Sequence, residues 1–242
     1  MSTRTIGRIV GALFLLAILA YGTGSALVVS GADTTDVLSD VADNPMQVSV
    51  GALLMLINSA AVVGIGVLAF RVLKPHHEIS AYAYLIGRAI EAVMLAVGIV
   101  FLLLLVPLGQ EYADAGADDA SVLPSLVRFA QEGNQYSYQM AMISLGLGSL
   151  LFCRVLLRAR LVPRFMAVWG MVGYAIFAAG GSLEVLGYGV GLALSVPGGL
   201  FEVALGVLLI ARGFPVGQIQ DPQGLVLTSS SATRAQSGTP IL

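Results

Sequence analysis

Six stretches with little or no charge, each long enough to cross a bilayer, fill the chain from Ile9 to Ala211, so the solvent in which it folds is lipid. Ile9 to Val29, Val48 to Phe70 and Gly133 to Cys153 carry no charge at all, and about Ile79 to Val106 carries only Arg88 and Glu91. From Phe165 to Ala211, 47 residues hold just Glu184 and Glu202. At the helical rise that run is about 70 Å long, enough for two passes. Only 11% of the 242 residues are charged, against about a quarter in soluble domains. The sequence therefore predicts an all-α polytopic membrane protein, a six-transmembrane-helix bundle occupying residues 1–213. Its spans fall at about 7–30, 47–71, 79–106, 133–156, 165–187 and 191–212. Residues 214–242, rich in Ser, Thr, Gln and Gly, read as a disordered cytoplasmic tail.

Charge fixes an expected orientation. Arg4, Arg8, Arg71, Lys74, Arg154, Arg158, Arg160, Arg164, Arg212 and Arg234 share one side, which is ten of the 12 basic residues. The opposite loops carry Asp33, Asp36, Asp40, Asp43, Glu111, Asp114, Asp118, Asp119 and Glu132. Short loops rich in Lys and Arg stay inside, so both termini are expected in the cytoplasm, with the protein in a bacterial cytoplasmic membrane. The first apolar run, about 21 residues, exceeds a cleavable signal's core of about 7–15 and reads as a retained helix. The one cysteine, Cys153, is placed near the cytoplasmic end of span four, where it is expected to label from that face, at least after mild solubilisation.

The last two spans turn either at Gly187-Tyr188-Gly189-Val190-Gly191 or at Ser195-Val196-Pro197-Gly198-Gly199. The second choice leaves span six about 20 Å, short of a hydrocarbon core of about 30 Å. The first choice puts Pro197-Gly198-Gly199 inside span six, where it reads as a packing kink before a broken binding helix. On that geometry Glu91 lies about 18 Å from the cytoplasmic start of span three, and Glu202 about 16 Å from the outer start of span six. Both sit near mid-membrane.

A carboxylate at that depth costs about 2.5–3.5 kcal/mol and must be compensated. Arg88 and Glu91, three residues apart, share a helix face and can pair. The pair reads either as a buried strut or as a polar site. Glu202 has no cation in its own span, so it meets Arg88 from another helix or carries a proton. Asn58 in span two joins Arg88, Glu91 and Glu202 as a candidate intramembrane site, with a helix-bridging hydrogen bond as the plainer role. Asn134, Tyr138 and Gln139 at the outer end of span four, with Glu184 near the surface, form a candidate outer vestibule or an interfacial anchor. Gly7 and Gly11, Gly64 and Gly66, Gly146 and Gly148, Gly170 and Gly173, and Gly180 and Gly181 read as helix contacts.

His76 and His77 lack a third convergent ligand, so no metal site is expected. No histidine or aspartate falls in a span, and no Walker or dinucleotide fingerprint is present, so no catalytic set and no cofactor are expected. Nucleic acid is not an expected partner; lipid is, with an unknown small molecule and a second copy of the chain as further candidates.

Four segments carry a family likeness: Arg8-Ile9-Val10-Gly11, Arg88-Ala89-Ile90-Glu91-Ala92, Gly146-Leu147-Gly148 through Leu161-Val162-Pro163-Arg164, and Phe201-Glu202. Through them the chain resembles the DUF4386 family of bacterial membrane proteins of uncharacterised function. The resemblance implies a six-helix bundle and supplies no activity. Members often show a histidine near the start of span four, where this chain has Asn134, which puts a histidine-dependent role in doubt here. Three readings stay open: a small-solute or proton-coupled carrier, a structural or regulatory membrane protein, and a membrane-embedded enzyme acting on a lipid-like substrate.

Overall fold

The computed structural model describes residues 1–28, 34–114, 122–190 and 192–215. Among them the regular structure is helical: α1 (Thr3–Val28), α2 (Thr34–Asp43), α3 (Pro45–Leu73), α4 (Glu78–Leu103), α5 (Leu105–Asp114), α6 (Leu123–Arg158), α7 (Arg164–Val185) and α8 (Val196–Arg212), with a 3-10 turn at Leu192–Ser195 before α8. Six of these helical segments are long and apolar enough to cross a membrane. The tail expected to be disordered lies almost entirely outside the described residues.

Local chemistry sets the ends. Proline stands in the first turn of α3, α6 and α8, where its missing N–H removes no helical bond. His77 caps α4 by accepting from Ser80 N through Nδ1 at 3.2 Å. The break between α4 and α5 at Leu104 follows from Pro107, whose ring opposes the carbonyl four residues back at Leu103. Glycines with positive φ, Gly187 (86°) and Gly213 (66°), close the ends of α7 and α8.

Two boundaries differ from the sequence expectation. Span four was expected from about 133; α6 starts ten residues earlier, at Leu123, and its 36 residues are about 54 Å long. It is therefore longer than a hydrocarbon core is thick, and Arg128 and Glu132 lie on its N-terminal overhang. Pro197-Gly198-Gly199 is neither an interior kink nor a break within α8. It forms the helix's first turn, where a 3-10 turn hands over to α-helix. Helical structure still runs from Ala193 to Arg212, so the chain reverses at the earlier glycine cluster.

The six long helices form a closed ring in the order α1, α3, α4, α6, α7, α8 and back to α1. Glycines let the backbones approach at the seams. A methyl at Gly11 would stand 2.5 Å from Gly206 O, one at Gly24 2.6 Å from Gly51 O, and one at Gly87 3.2 Å from Gly148 Cα. The end of the ring where α1 begins and α8 ends is packed solid with Ile6, Val10, Leu73, Leu156, Leu209 and Phe214, all buried. At the far end α2, α5 and the overhang of α6 build a second small core from Val37, Leu38, Val41, Leu105, Leu123 and Val127. The segments read from sequence as outer loops are thus largely a helical cap over one side of the ring.

Candidate functional site

Halfway along the ring, α4 delivers Tyr84, Arg88 and Glu91 to the interior, a spacing of four and three residues that keeps them on one face. Arg88 Nη1 donates to both carboxylate oxygens of Glu91, at 3.2 and 3.0 Å, and Nε donates to Tyr84 Oη at 3.0 Å. Nη2 reaches across the ring to Glu202 Oε1 on α8 at 3.2 Å. The same oxygen accepts from Tyr174 Oη on α7 at 2.8 Å. Three helices are tied through one guanidinium and two carboxylates.

Aromatic rings fix the donors. Tyr84 stacks on Phe152 at 4.5 Å, and Tyr174 meets the edge of Phe201 at 5.5 Å. The guanidinium also lies over Phe14, 5.2 Å from its centroid, so its flat face is covered by α1. Arg88 and Glu91 are 2% and 3% exposed; the Glu202 side chain keeps 12%. That residual exposure belongs to a cavity. Glu202 Oε2 accepts no hydrogen bond among the described residues, whereas both oxygens of Glu91 are used. One cation faces two carboxylates, so with both ionised the centre holds one uncompensated negative charge.

The cavity, about 400 Å3, has Arg88, Glu91 and Glu202 as its floor. It rises toward the end of the ring away from the termini, between Tyr21 and Ser25 of α1, Tyr138 of α6 and Ser195 at the head of α8. Tyr21 and Tyr138 stack at 5.8 Å near its upper part. Asn58 of α3 also lines it, is only 6% exposed, and makes no side-chain hydrogen bond among the described residues. The helix-bridging hydrogen bond expected of Asn58 is absent there.

The four residues expected as an intramembrane site therefore border one space. The expected vestibule divides. Tyr138, Gln139 and Glu184 line an adjoining cavity of about 240 Å3, which shares Tyr138, Met142, Phe177 and Ser195 with the larger one. Asn134 is not part of it. It packs toward α4, where a methyl on Gly98 would come 2.8 Å from its Nδ2, because residue 134 sits on the α4 side of α6 while 135, 138 and 139 face α7. His76 and His77 lie at the opposite end, beside Arg154 and Arg158. Cys153 also departs from expectation: it is wholly buried against Gly170, so its thiol is closed to aqueous labelling from either face.

Sequence reasoning missed Tyr84, Tyr174 and Phe14. Tyr84 was available as the third member of the Arg88/Glu91 stripe. Tyr174 and Phe14 were not, since their places depend on how α7, α8 and α1 close the ring.

Fold and site together define a multi-pass membrane protein with a buried ionic centre beneath a cavity. Its family follows from comparison with known proteins: the model of the domain of unknown function DUF4386 matches residues 9–213, and the chain belongs to that family. No curated protein and no solved structure matches it.

Proposed function

We propose that this protein is a proton-coupled carrier of a small solute. It lies in the bacterial cytoplasmic membrane with both termini inside, and its mid-membrane carboxylates take a proton and a solute in turn. The observation that carries the reading is the charge count at the cavity floor: Glu91 and Glu202 against Arg88, with Glu202 Oε2 unpartnered among the described residues and facing the open space. A net charge held at that depth is costly, and one proton or one bound cation neutralises it. A site near the midplane, reached from one end of the ring, is also where carriers with alternating access hold their ligands. The distribution of arginines supports cytoplasmic termini and makes the cavity an outward-facing one.

A structural or regulatory role is favoured by one feature: Arg88 knits α4, α7 and α8 as a strut would, through Glu202 and Tyr174. An enzyme on a lipid-like substrate would need an activated nucleophile beside the cavity; Cys153 lies sealed elsewhere, and the cavity hydroxyls of Ser25 and Ser195 meet no histidine among the described residues.

Proteoliposomes loaded with a pH dye and given a pH gradient test the carrier reading. A panel of organic cations, organic anions, sugars and amino acids is presented, and proton movement is followed. One solute class is expected to move protons, and Glu202→Gln to abolish the coupling while unfolding at the wild-type temperature. The reading fails if the wild type couples no member of the panel to the gradient, or if Glu202→Gln carries its solute as well as wild type does.

A further inference from the structure

We infer that the solute is an amphiphilic monocation, an organic ammonium with a hydrocarbon body, and that it reaches the carboxylates sideways from the bilayer through a gap between α1 and α8. The inference rests on the carrier site just described and names its substrate class and its route.

Charge selects the head group. An anion arriving at the floor would meet two carboxylates for one guanidinium, whereas a monocation placed at Glu202 Oε2 brings the centre to neutrality. Asn58 adds an independent reason for a polar head. The residue is nine-tenths buried and lines the same space, and its amide makes no hydrogen bond among the described residues, which leaves it available to a polar ligand. Its carbonyl oxygen suits the positive end of the same head group. Tyr21, Tyr138 and Phe177 line the cavity above, and aromatic rings attract quaternary ammonium groups. The titratable or charged groups around the floor are Tyr21 from α1, Tyr84, Arg88 and Glu91 from α4, Tyr138 and Cys153 from α6, Tyr174 from α7 and Glu202 from α8. Arg88 is the one cation among them, and Glu91 engages its Nη1 fully.

The body of the ligand is set by the walls, where Ile18, Val62, Leu95, Met142 and Leu145 are apolar. At about 400 Å3 the space falls within the range of small-molecule sites, about 300–1,000 Å3.

The route follows from how α1 and α8 part. Near the termini they touch at Gly7 with Gly213 and at Gly11 with Gly206. Toward the far end the facing positions are Gly22 and Gly199, both lining the cavity, and a methyl at either would meet no atom of the described residues within 4 Å. Leu19, Val196 and Leu200, beside this opening, are exposed and apolar, so the mouth is bordered by lipid-facing side chains. Gly22 lies about 9 Å short of Val28, the end of α1. An amphiphile already dissolved in the leaflet passes through such a gap without crossing water.

The test uses the full chain in lipid nanodiscs, with radiolabelled decyltrimethylammonium as probe and empty nanodiscs as the partition reference. One saturable site per protein is expected. Decyl sulfate and decanol, which share the tail but not the charge, are expected to displace the probe at least tenfold less well. Glu202→Gln and, separately, Asn58→Leu should each weaken binding about tenfold or more, with unfolding temperatures measured alongside so that one folded variant suffices. Gly22→Leu with Gly199→Leu should slow association and dissociation of the probe together. Equal binding by Glu202→Gln, or equal displacement by all three amphiphiles, overturns the charge assignment. Unchanged rates in the double leucine variant overturn the lateral route. Failure here is separable from failure of the carrier reading: saturable cation binding without proton-coupled flux leaves this inference standing and sinks the carrier, while pH-driven flux of an anion or neutral solute does the reverse.

Discussion

Arg88 carries more of the centre's energetics than either carboxylate, because it supplies the positive charge that both need while packing between Phe14 and Tyr84. Removing one partner from a buried ionic group leaves the rest uncompensated, which costs about 3–5 kcal/mol. Arg88→Met is therefore expected to destabilise the protein by about that amount, read as a large fall in unfolding temperature in detergent. Adding Glu91→Leu and Glu202→Gln to Arg88→Met should restore most of the loss, since no charge is then left behind. A lone Arg88→Met variant as stable as wild type would show that the centre is not the compensated cluster described here. Tyr174→Phe keeps the ring contacts with Phe177 and Phe201 and deletes one hydrogen bond to Glu202. Single bonds of this kind inside membrane proteins are worth about 0.6 kcal/mol on average and up to about 1.7. The variant should lose stability within that range, and a loss several times larger would mean that the hydroxyl supports more than Glu202.

Between elements, glycine spacing decides where helices touch and where they part, and α1 contains both cases. A side chain at Gly11 runs into Gly206 O and Ile210 N, atoms of backbone that cannot swing aside, while one at Gly22 meets nothing among the described residues. Gly11→Val is accordingly expected to destabilise by about 1–3 kcal/mol through forced separation of α1 and α8, and Gly22→Val to leave the unfolding temperature unchanged. Equal effects from the two would remove the case for a tapered α1/α8 seam. The same residues mark how far the sequence could be read. Span number came from uncharged length, and the Arg88–Glu91 contact from helical spacing, because both are properties of one segment. Pro197 was harder: a proline after a glycine cluster is compatible with an interior kink or with a first turn, and only the handover from 3-10 to α-helix at Val196 decides. The start of α6 was obscured because Arg128 and Glu132 interrupt the apolar pattern without interrupting the helix. Asn134 and Tyr138, four apart, read as one flank, yet packing against α4 on one side and α7 on the other separates them, a distinction of less than half a turn of helix rotation.

At the scale of the whole molecule, the ring is asymmetric along its axis: solid around the termini, hollow and capped by α2 and α5 at the other end. Which end faces the cytoplasm sets the meaning of that asymmetry. The basic residues Arg71, Lys74, Arg154, Arg158, Arg160 and Arg164 all cluster at the solid end, in the turn after α3 and around the link from α6 to α7. By the preference of such loops for the cytoplasm, the hollow end is expected to open outward. Cys153 cannot report this, since its thiol is sealed inside the ring, so the reporter must be placed in an exposed turn. With Cys153→Ala as background, His76→Cys falls in the solid-end turn between α3 and α4, and Tyr188→Cys in the hollow-end connection after α7, where the residue is 61% exposed. An impermeant maleimide applied to intact spheroplasts is expected to label Tyr188→Cys and spare His76→Cys, and to reach His76→Cys only once the membrane is opened. Wild-type protein, carrying Cys153 alone, should stay unlabelled in both states until it is unfolded. The reverse pattern would turn the cavity toward the cytoplasm and change the direction from which an amphiphilic cation is taken up. The gap between α1 and α8 would then draw on the inner leaflet, and the protein would present Glu202 to solutes leaving the cell.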